Sequence, residues 1–138
     1  MRIKISELNG AALDYAVALA LGLRIRSQKR DGVHKGAFIA VGDAYNYIWR
    51  DTMGWMPGGT YSWSPSTRWE HGGPLIGKFK IDIEHQGNDV LASIYKPHGL
   101  NDVDYFGSTG LIAICRAVVA CKLGDYEVDV PDELLRAA

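Results

Sequence analysis

The sequence predicts an α+β fold: a small, mainly antiparallel sheet packed with N- and C-terminal helices, in the manner of an α-β-α sandwich. Three observations predict it. An apolar helical repeat follows residue 9, a second long apolar helix follows residue 109, and short alternating segments lie between them. The chain has 138 residues, of which 47% are hydrophobic, so we expect a single domain, residues 1–138, with a buried core.

The first helix is predicted to begin after Asn9, which can cap it while Leu8 packs on Leu13. Apolar residues then recur at helical spacing, and Gly22 is a typical stop. Asp14 is the only charged residue of this helix, and its other faces are apolar too. We therefore expect the helix to be covered on more than one side.

Three strands are predicted next, over residues 23–26, 37–41 and 45–49. A polar turn separates the first two, and a glycine- and proline-rich loop at 51–61 follows the third. Ser64, placed directly before a proline, then predicts the start of a short helix that includes Trp69.

The clearest pattern is a hairpin with strands at 79–85 and 90–95. Its first strand alternates between apolar and charged residues. The charged residues are predicted to point outward, and the apolar residues are predicted to point inward: Phe79, Ile81 and Ile83. The two strands are joined by a polar, glycine-containing turn.

Residues 97–107 are predicted to form a loop. A final long helix is capped by Ser108 or Thr109 and ends at Gly124. A short extended piece at 127–130 follows it.

Composition and charge exclude several classes of protein. Fifteen Lys and Arg against sixteen Asp and Glu give a formal charge of −1, which fits neither a globally basic nucleic-acid binder nor an acidic disordered tail. The apolar stretches are too short to span a bilayer and the N-terminus does not resemble a secretory signal, so we expect a cytoplasmic protein without membrane contact. Cys115 and Cys121 lie roughly 9 Å apart along one predicted helix and point apart, so they cannot form a disulfide.

Three stretches carry a family resemblance. Residues 5–18 hold a Leu-Asp-aromatic-Ala-Val helix, and residues 61–76 hold Ser-Pro-Ser-Thr, a tryptophan and a Gly-Pro pair. Residues 111–125 hold an arginine-bearing helix that ends in Lys-Leu-Gly, followed by 128–134. In this order the stretches, which we call the family stretches, resemble the NinX-like family of small phage and prophage proteins.

The resemblance implies a prophage-type protein with a compact α/β sandwich. It carries over no catalytic residue. Four residues occupy motif positions whose role it leaves open: Trp69, Gly73, Pro74 and Arg116. The segment 24–60 lies outside the three stretches.

Aromatic residues are concentrated between positions 45 and 69, where all four tryptophans lie. Exposed rings can anchor a protein partner or stack on bases, whereas buried rings would cover the core. We favour a structural role for Trp69, because it belongs to the capped helix. The candidates for partner binding are Tyr45, Tyr47, Trp49, Trp55 and Trp63.

Basic residues are concentrated between positions 24 and 35, and such a cluster could contact phosphates. The candidates for nucleic-acid binding are Arg24, Arg26, Lys29, Arg30 and Lys35. An acidic run between 125 and 133 offers a simpler reading, in which the two surface segments neutralise each other or are solvated separately.

No motif predicts a cofactor, a metal site or a catalytic residue. The four histidines are scattered and lack the spacing of metal ligands. A metal site would need at least two residues of one set to converge: His71, His85, His98, Asp102 and Asp104. We therefore expect a non-catalytic phage or prophage accessory protein that binds a macromolecule. A protein is the expected partner and nucleic acid the alternative, and the oligomeric state is left open.

Overall fold

The computed structural model describes residues 1–30, 34–41, 46–49, 63–95, 102–124 and 127–135. In the strands at 24–30, 34–41 and 46–49 it describes backbone placement and pairing. The elements are β1 (Arg2–Lys4), a 3₁₀ turn (Ile5–Glu7), α1 (Gly10–Ala20), β2 (Arg24–Arg30), β3 (His34–Val41), β4 (Asn46–Trp49), α2 (Trp69–Gly72), α3 (Pro74–Phe79), β5 (Ile81–Gln86), β6 (Asp89–Ile94), β7 (Val103–Gly107), α4 (Gly110–Leu123), β8 (Glu127–Asp129) and α5 (Asp132–Leu135).

The strands of the described ranges form three antiparallel sheets, with orders β1-β8, β2-β3-β4 and β5-β6-β7. This mixture of helices and antiparallel strands confirms the predicted α+β class. The small sheet expected from the sequence is divided into three. β1 has only three residues, which is too short for its alternation to stand out in the sequence.

The core lies where α1 and α4 pack on each other and α4 covers one face of the β5-β6-β7 sheet. Val90, Ala92 and Ile94 point from β6 into this core. α1 contacts α4, α5 and β2, and residues on several of its sides are buried. This confirms the expectation that α1 is covered on more than one side.

The ends of the two long helices follow local sequence signals. Thr109 Oγ1 accepts a hydrogen bond from the N–H of Ile112 and so caps α4, as predicted. Gly124 ends α4 in the left-handed region, with a φ of 70°, which a residue with a β-carbon rarely adopts. Asn9 occupies the cap position of α1, but its side chain makes no cap hydrogen bond.

The predicted loop at 97–107 is wrong in its second half, because Val103–Gly107 is strand β7. Val103 and Tyr105 are partly buried against the core, while Asp104 and Phe106 are exposed. The strand pairs with β6 along its whole length. Its alternation spans only five residues, so the nearby glycines and polar residues dominated the sequence pattern.

Two predicted element starts are also corrected. Phe79 ends helix α3, and Lys80, with a φ of 54°, separates it from β5, so Phe79 is not part of the hairpin. The short helix begins at Trp69 and not after Ser64. The N–H groups of Thr67 and Arg68 both donate to the Ser64 carbonyl, which closes a turn in place of a helix.

Candidate functional site

The three family stretches meet inside the protein, between α1, the turn at residues 63–67 and α4. Five residues form this meeting point, which we call the buried junction: Asp14, Trp63, Ser66, His71 and Cys115. Each stretch contributes at least one of them.

Asp14 is the centre of the buried junction and is only 4% exposed. Its Oδ1 accepts a hydrogen bond of 2.8 Å from the N–H of Ser66. Its backbone carbonyl accepts one of 2.9 Å from the indole N–H of Trp63. One residue of α1 therefore holds the turn at 63–67 at two points, 49 and 52 positions along the chain.

Burial raises the pKa of the Asp14 carboxyl from 3.8 to about 7, because the charged form loses its hydration. The backbone N–H and the hydroxyl of Ser66 act in the opposite direction and lower this pKa. The hydroxyl contact falls short of hydrogen-bond geometry, and Ser66 Oγ is the one buried side-chain oxygen or nitrogen in the described ranges without a hydrogen-bond partner. Near neutral pH the carboxyl is thus divided between its two protonation states.

Cys115 lies on α4 and is fully buried. Burial raises the pKa of its thiol well above the ordinary value, and the nearby charge of Asp14 raises it further. The thiolate is the reactive form of cysteine, so this side chain is unreactive and acts as a small apolar group. Both cysteines are free thiols, as their spacing predicted.

Trp63 and His71 stack on each other with ring centroids 5.4 Å apart and planes inclined by 22°. His71 Nδ1 accepts a hydrogen bond of 3.0 Å from the N–H of Ser64. Burial lowers the pKa of His71, and the charge of Arg68 lowers it further, while Glu70 opposes the shift. A neutral ring is also the form that can accept at Nδ1. This histidine therefore supports the turn.

Perturbed pKa values often mark functional sites, but structural networks produce them as well. In the buried junction the carboxyl is enclosed, the thiol is neutral and the imidazole nitrogen is engaged by backbone. We therefore interpret the junction as a brace that sets the position of the turn and of the helix α2 that follows it.

Arg116, the next residue of α4, makes a second set of contacts. Its guanidinium donates to the backbone carbonyls of Leu8 and Phe106, at 3.1 and 2.8 Å, and to Asn9 Oδ1 at 3.1 Å. Burial lowers its pKa, but an arginine remains charged. This motif arginine thus ties the start of α1 to β7.

A cleft of about 240 Å³ lies at the start of α1, lined by residues 7–12 with Leu134 and Leu135. Binding sites for drug-sized ligands are usually larger, about 300–1,000 Å³. Helix N-termini favour anions, but the Glu7 carboxylate stands in this lining and opposes them. The cleft is therefore smaller than a usual small-molecule site, and its lining does not favour an anion.

The structure reverses the roles expected for two tryptophans. Trp63, a predicted partner contact, is 6% exposed and its N–H is engaged by Asp14. Trp69, which the sequence assigned to a structural role, is 57% exposed. The difference arises because the turn at 63–67 points Trp63 inward and starts the helix only at Trp69.

Two further aromatic side chains on the surface were not predicted from the sequence. Tyr95 is 60% exposed and Phe106 is 48% exposed. The signal for Tyr95 was present, because it lies two positions beyond the outward residue Ser93 in the hairpin alternation. Phe106 was missed because its strand was predicted as a loop.

The other predicted partner contacts lie in the segment that the structure describes least. Tyr45 and Trp55 lie outside the described residues. Tyr47 and Trp49 are on β4, paired with Ala40 and Phe38. All four remain candidates on the sequence pattern alone.

The basic candidates lie on neighbouring strands. β2 carries Arg24, Arg26, Lys29 and Arg30, and β3 carries Lys35. Through β3, the register aligns Arg24 with Asn46, and Arg26 with Ile48. Successive residues of a strand face opposite sides of the sheet, so these two arginine positions lie on the opposite face from Tyr47 and Trp49.

The residues that a metal site would need lie in different parts of the described chain or outside it. No group of three or more His, Cys, Asp or Glu residues in the described part of the chain is arranged to hold a metal ion. Asp102 and Asp104 lie near Tyr95, His71 belongs to the buried junction, and His98 lies outside the described ranges.

Comparison with protein families decides where the chain belongs. The model of the family described as "Bacteriophage P22, NinX" matches residues 4–122. The chain belongs to the NinX family of phage proteins. The match confirms the predicted resemblance and extends it through the segment 24–60, which the three stretches left out. No curated protein matches the chain.

The NinX-family match covers the whole buried junction, Arg116 and the exposed Trp69. It shows a phage-derived protein but not a reaction or a partner. No helix within the described ranges is long and apolar enough to cross a membrane.

Proposed function

We propose that this NinX-family protein is a non-catalytic accessory protein that acts by binding another protein, with Trp69 as a central contact. The observation that supports the proposal is the 57% exposure of Trp69 in a segment that is otherwise firmly anchored. Tryptophan is among the residues that most often dominate the binding energy of protein interfaces.

The surroundings of Trp69 hold its ring at the surface. Added β-carbons at Gly73 and Gly110 would lie 3.4 and 3.7 Å from ring atoms, so the indole rests against two glycine positions. Two residues further on, His71 stacks on the buried Trp63 and accepts from Ser64. A large ring on a fixed base loses little conformational freedom on binding, which favours affinity.

The proposal is tested by comparing wild type with Trp69→Ala in affinity capture from a lysate of bacteria carrying the phage or prophage, with and without nuclease. Proteins captured by wild type are identified, purified and titrated against both variants. We expect a nuclease-resistant partner whose affinity falls at least tenfold with Trp69→Ala, since a hot-spot side chain contributes about 2 kcal/mol or more.

Leu19→Ala is the matched control, because Leu19 is also a partly exposed apolar residue on a helix, 37% exposed. It should leave the affinity within twofold. Circular dichroism and thermal melting verify that both variants fold. A partner bound equally well by wild type and Trp69→Ala would contradict the proposed role of Trp69, and capture that disappears with nuclease would contradict protein binding.

Nucleic-acid binding is a second candidate, because β2 and β4 bring the basic and aromatic candidates into one sheet. The register weakens it, since Arg24 and Arg26 occupy the face opposite to Tyr47 and Trp49. A single-stranded nucleic acid that contacted the two arginines would then not stack its bases on Tyr47 and Trp49. Titration of labelled single- and double-stranded oligonucleotides at low and moderate salt tests this candidate, and absence of salt-sensitive binding rejects it.

A further inference from the structure

The β5-β6-β7 sheet has a second face, turned away from α4. The register aligns Asp82 with Ser93 and Asp104, and the next row aligns Glu84 with Leu91 and Phe106. Alternate residues on these strands, such as Val90, Ala92 and Ile94, enter the core, so both rows belong to the opposite side. We call this side, together with Tyr95, the outer sheet face.

The outer sheet face carries aromatic and apolar contact area. Tyr95 and Phe106 are each about half exposed or more, and Leu91 is partly exposed. Tyr95 directly follows β6, and Phe106 lies within β7. A paired sheet offers both rings a rigid base for a docking partner. Exposed rings on such a base indicate a contact with another molecule.

The charged residues in the two rows of this face are acidic. Tyr95 lies beside Asp82, and the carboxylates of Asp82, Asp102 and Asp104 together raise the pKa of its hydroxyl. Glu84 adds a further exposed carboxylate in the neighbouring row. Among the described cations, the exposed Lys80 directly precedes β5, and Arg116 of α4 donates to the Phe106 carbonyl.

We infer that the outer sheet face docks an arginine-rich segment of a protein partner. Guanidinium groups form paired hydrogen bonds with carboxylates and also stack on aromatic rings, so they fit both features of this face. Lysine would meet the charge but stack less well. The phosphates of nucleic acids and anionic lipids would be repelled by the same carboxylates.

This inference is separate from the role of Trp69, which lies on α2 and makes no part of the outer sheet face. Either can fail without the other. The face would add a second contact region to an accessory protein, with a partner defined by its positive charge.

Fluorescein-labelled hexa-arginine amide is the probe, with hexalysine amide and a labelled oligothymidine as comparisons. Fluorescence anisotropy gives affinities over a range of salt concentrations, and ¹⁵N chemical-shift mapping locates the site. We expect hexa-arginine to bind more tightly than hexalysine, with the largest shifts between residues 82 and 106. Oligothymidine should not bind at this face.

Asp82→Asn/Asp104→Asn is the decisive variant, and Glu7→Gln/Glu70→Gln is its control with the same change in net charge. Exposed ion pairs are worth a few tenths to one kcal/mol each, so we expect the loss of two to weaken hexa-arginine binding about 3–30-fold. The control should change it less than twofold. Tyr95→Ala/Phe106→Ala should remove the preference for arginine over lysine.

Three results would overturn the inference. Equal weakening by the two charge variants would show general attraction without a site. Chemical shifts that lie outside 82–106 would place the site elsewhere. Binding of oligothymidine to the same residues would show that the face does not select for positive charge.

Discussion

Replacing Asp14 by asparagine should remove a large part of the pH dependence of stability. In the folded protein the pKa of this carboxyl is about 7, against 3.8 without the burial. A raised folded pKa means that the folded state binds the proton more tightly, so this contribution is complete below pH 3.8 and is lost as pH rises through about 7. Because a tenfold difference in proton affinity corresponds to about 1.4 kcal/mol, the full effect amounts to roughly 4 kcal/mol.

Most of that loss falls in an accessible range. Between pH 5 and pH 8 the linkage gives a decrease of about 2–3 kcal/mol in the free energy of unfolding of wild type. Asparagine has nearly the same shape and still offers Oδ1 to the N–H of Ser66. We therefore expect the free energy of unfolding of Asp14→Asn to rise relative to that of wild type as pH increases.

The assay is urea unfolding followed by circular dichroism at pH 5, 6, 7 and 8 for wild type and Asp14→Asn. Asp89→Asn, at an exposed carboxyl, is the control and should run parallel to wild type. The difference between wild type and Asp14→Asn should grow by about 2–3 kcal/mol across this range, and the slopes m should agree. A difference that is constant with pH would refute the assignment of a buried, half-ionised carboxyl to Asp14.

Three other changes probe the same framework. Arg116→Ala removes three hydrogen bonds, two of them to backbone carbonyls, and should cost about 1–3 kcal/mol in urea unfolding, where an unchanged midpoint would contradict its role as a tie. Gly72→Ala would press a β-carbon against the Pro65 carbonyl oxygen and should cost about 1–3 kcal/mol. Gly77→Ala meets open space in α3 and should be neutral or stabilise by up to about 1 kcal/mol, so similar thermal melts for the two variants would disprove the close approach. For His71 the pKa lowered by burial means stability that is present above pH 6.5 and lost as pH falls through the folded value. An NMR titration midpoint at or above 6.5 would be evidence against the burial of this ring.

The positions of the two long helices could be predicted because their signals are local. The cap at Thr109 and the stop at Gly124 depend on one side chain and one backbone conformation. The hairpin strands were placed to within two residues, since one face of that sheet meets the core and the other meets solvent. β1 and β7 were missed because each is short and gains its stability from pairing with a distant or neighbouring strand.

The candidate site depended on long-range contacts, and here the sequence could not decide. Nothing local shows that the indole N–H of Trp63 reaches the carbonyl of Asp14, 49 positions earlier. Without that contact, the glycine-rich neighbourhood of Trp63 made it appear more accessible than Trp69. The sequence identifies Asp14 as the only charged residue of α1, but its contact with Ser66 depends on the folded chain.

The family stretches and the surfaces proposed for binding are largely different parts of the molecule. Asp14, Ser66 and Arg116 make contacts that join the stretches to one another and to the backbone. Such contacts specify a fold, and a protein could keep all of them while changing its partner. Trp69 is the exception, because it lies within a family stretch and yet is mostly exposed. Burial and hydrogen bonding account for these other motif side chains, whereas an exposed indole gains little stability from its position. Binding is the role we propose for it, which makes Trp69 the residue at which a shared function of this family is best tested.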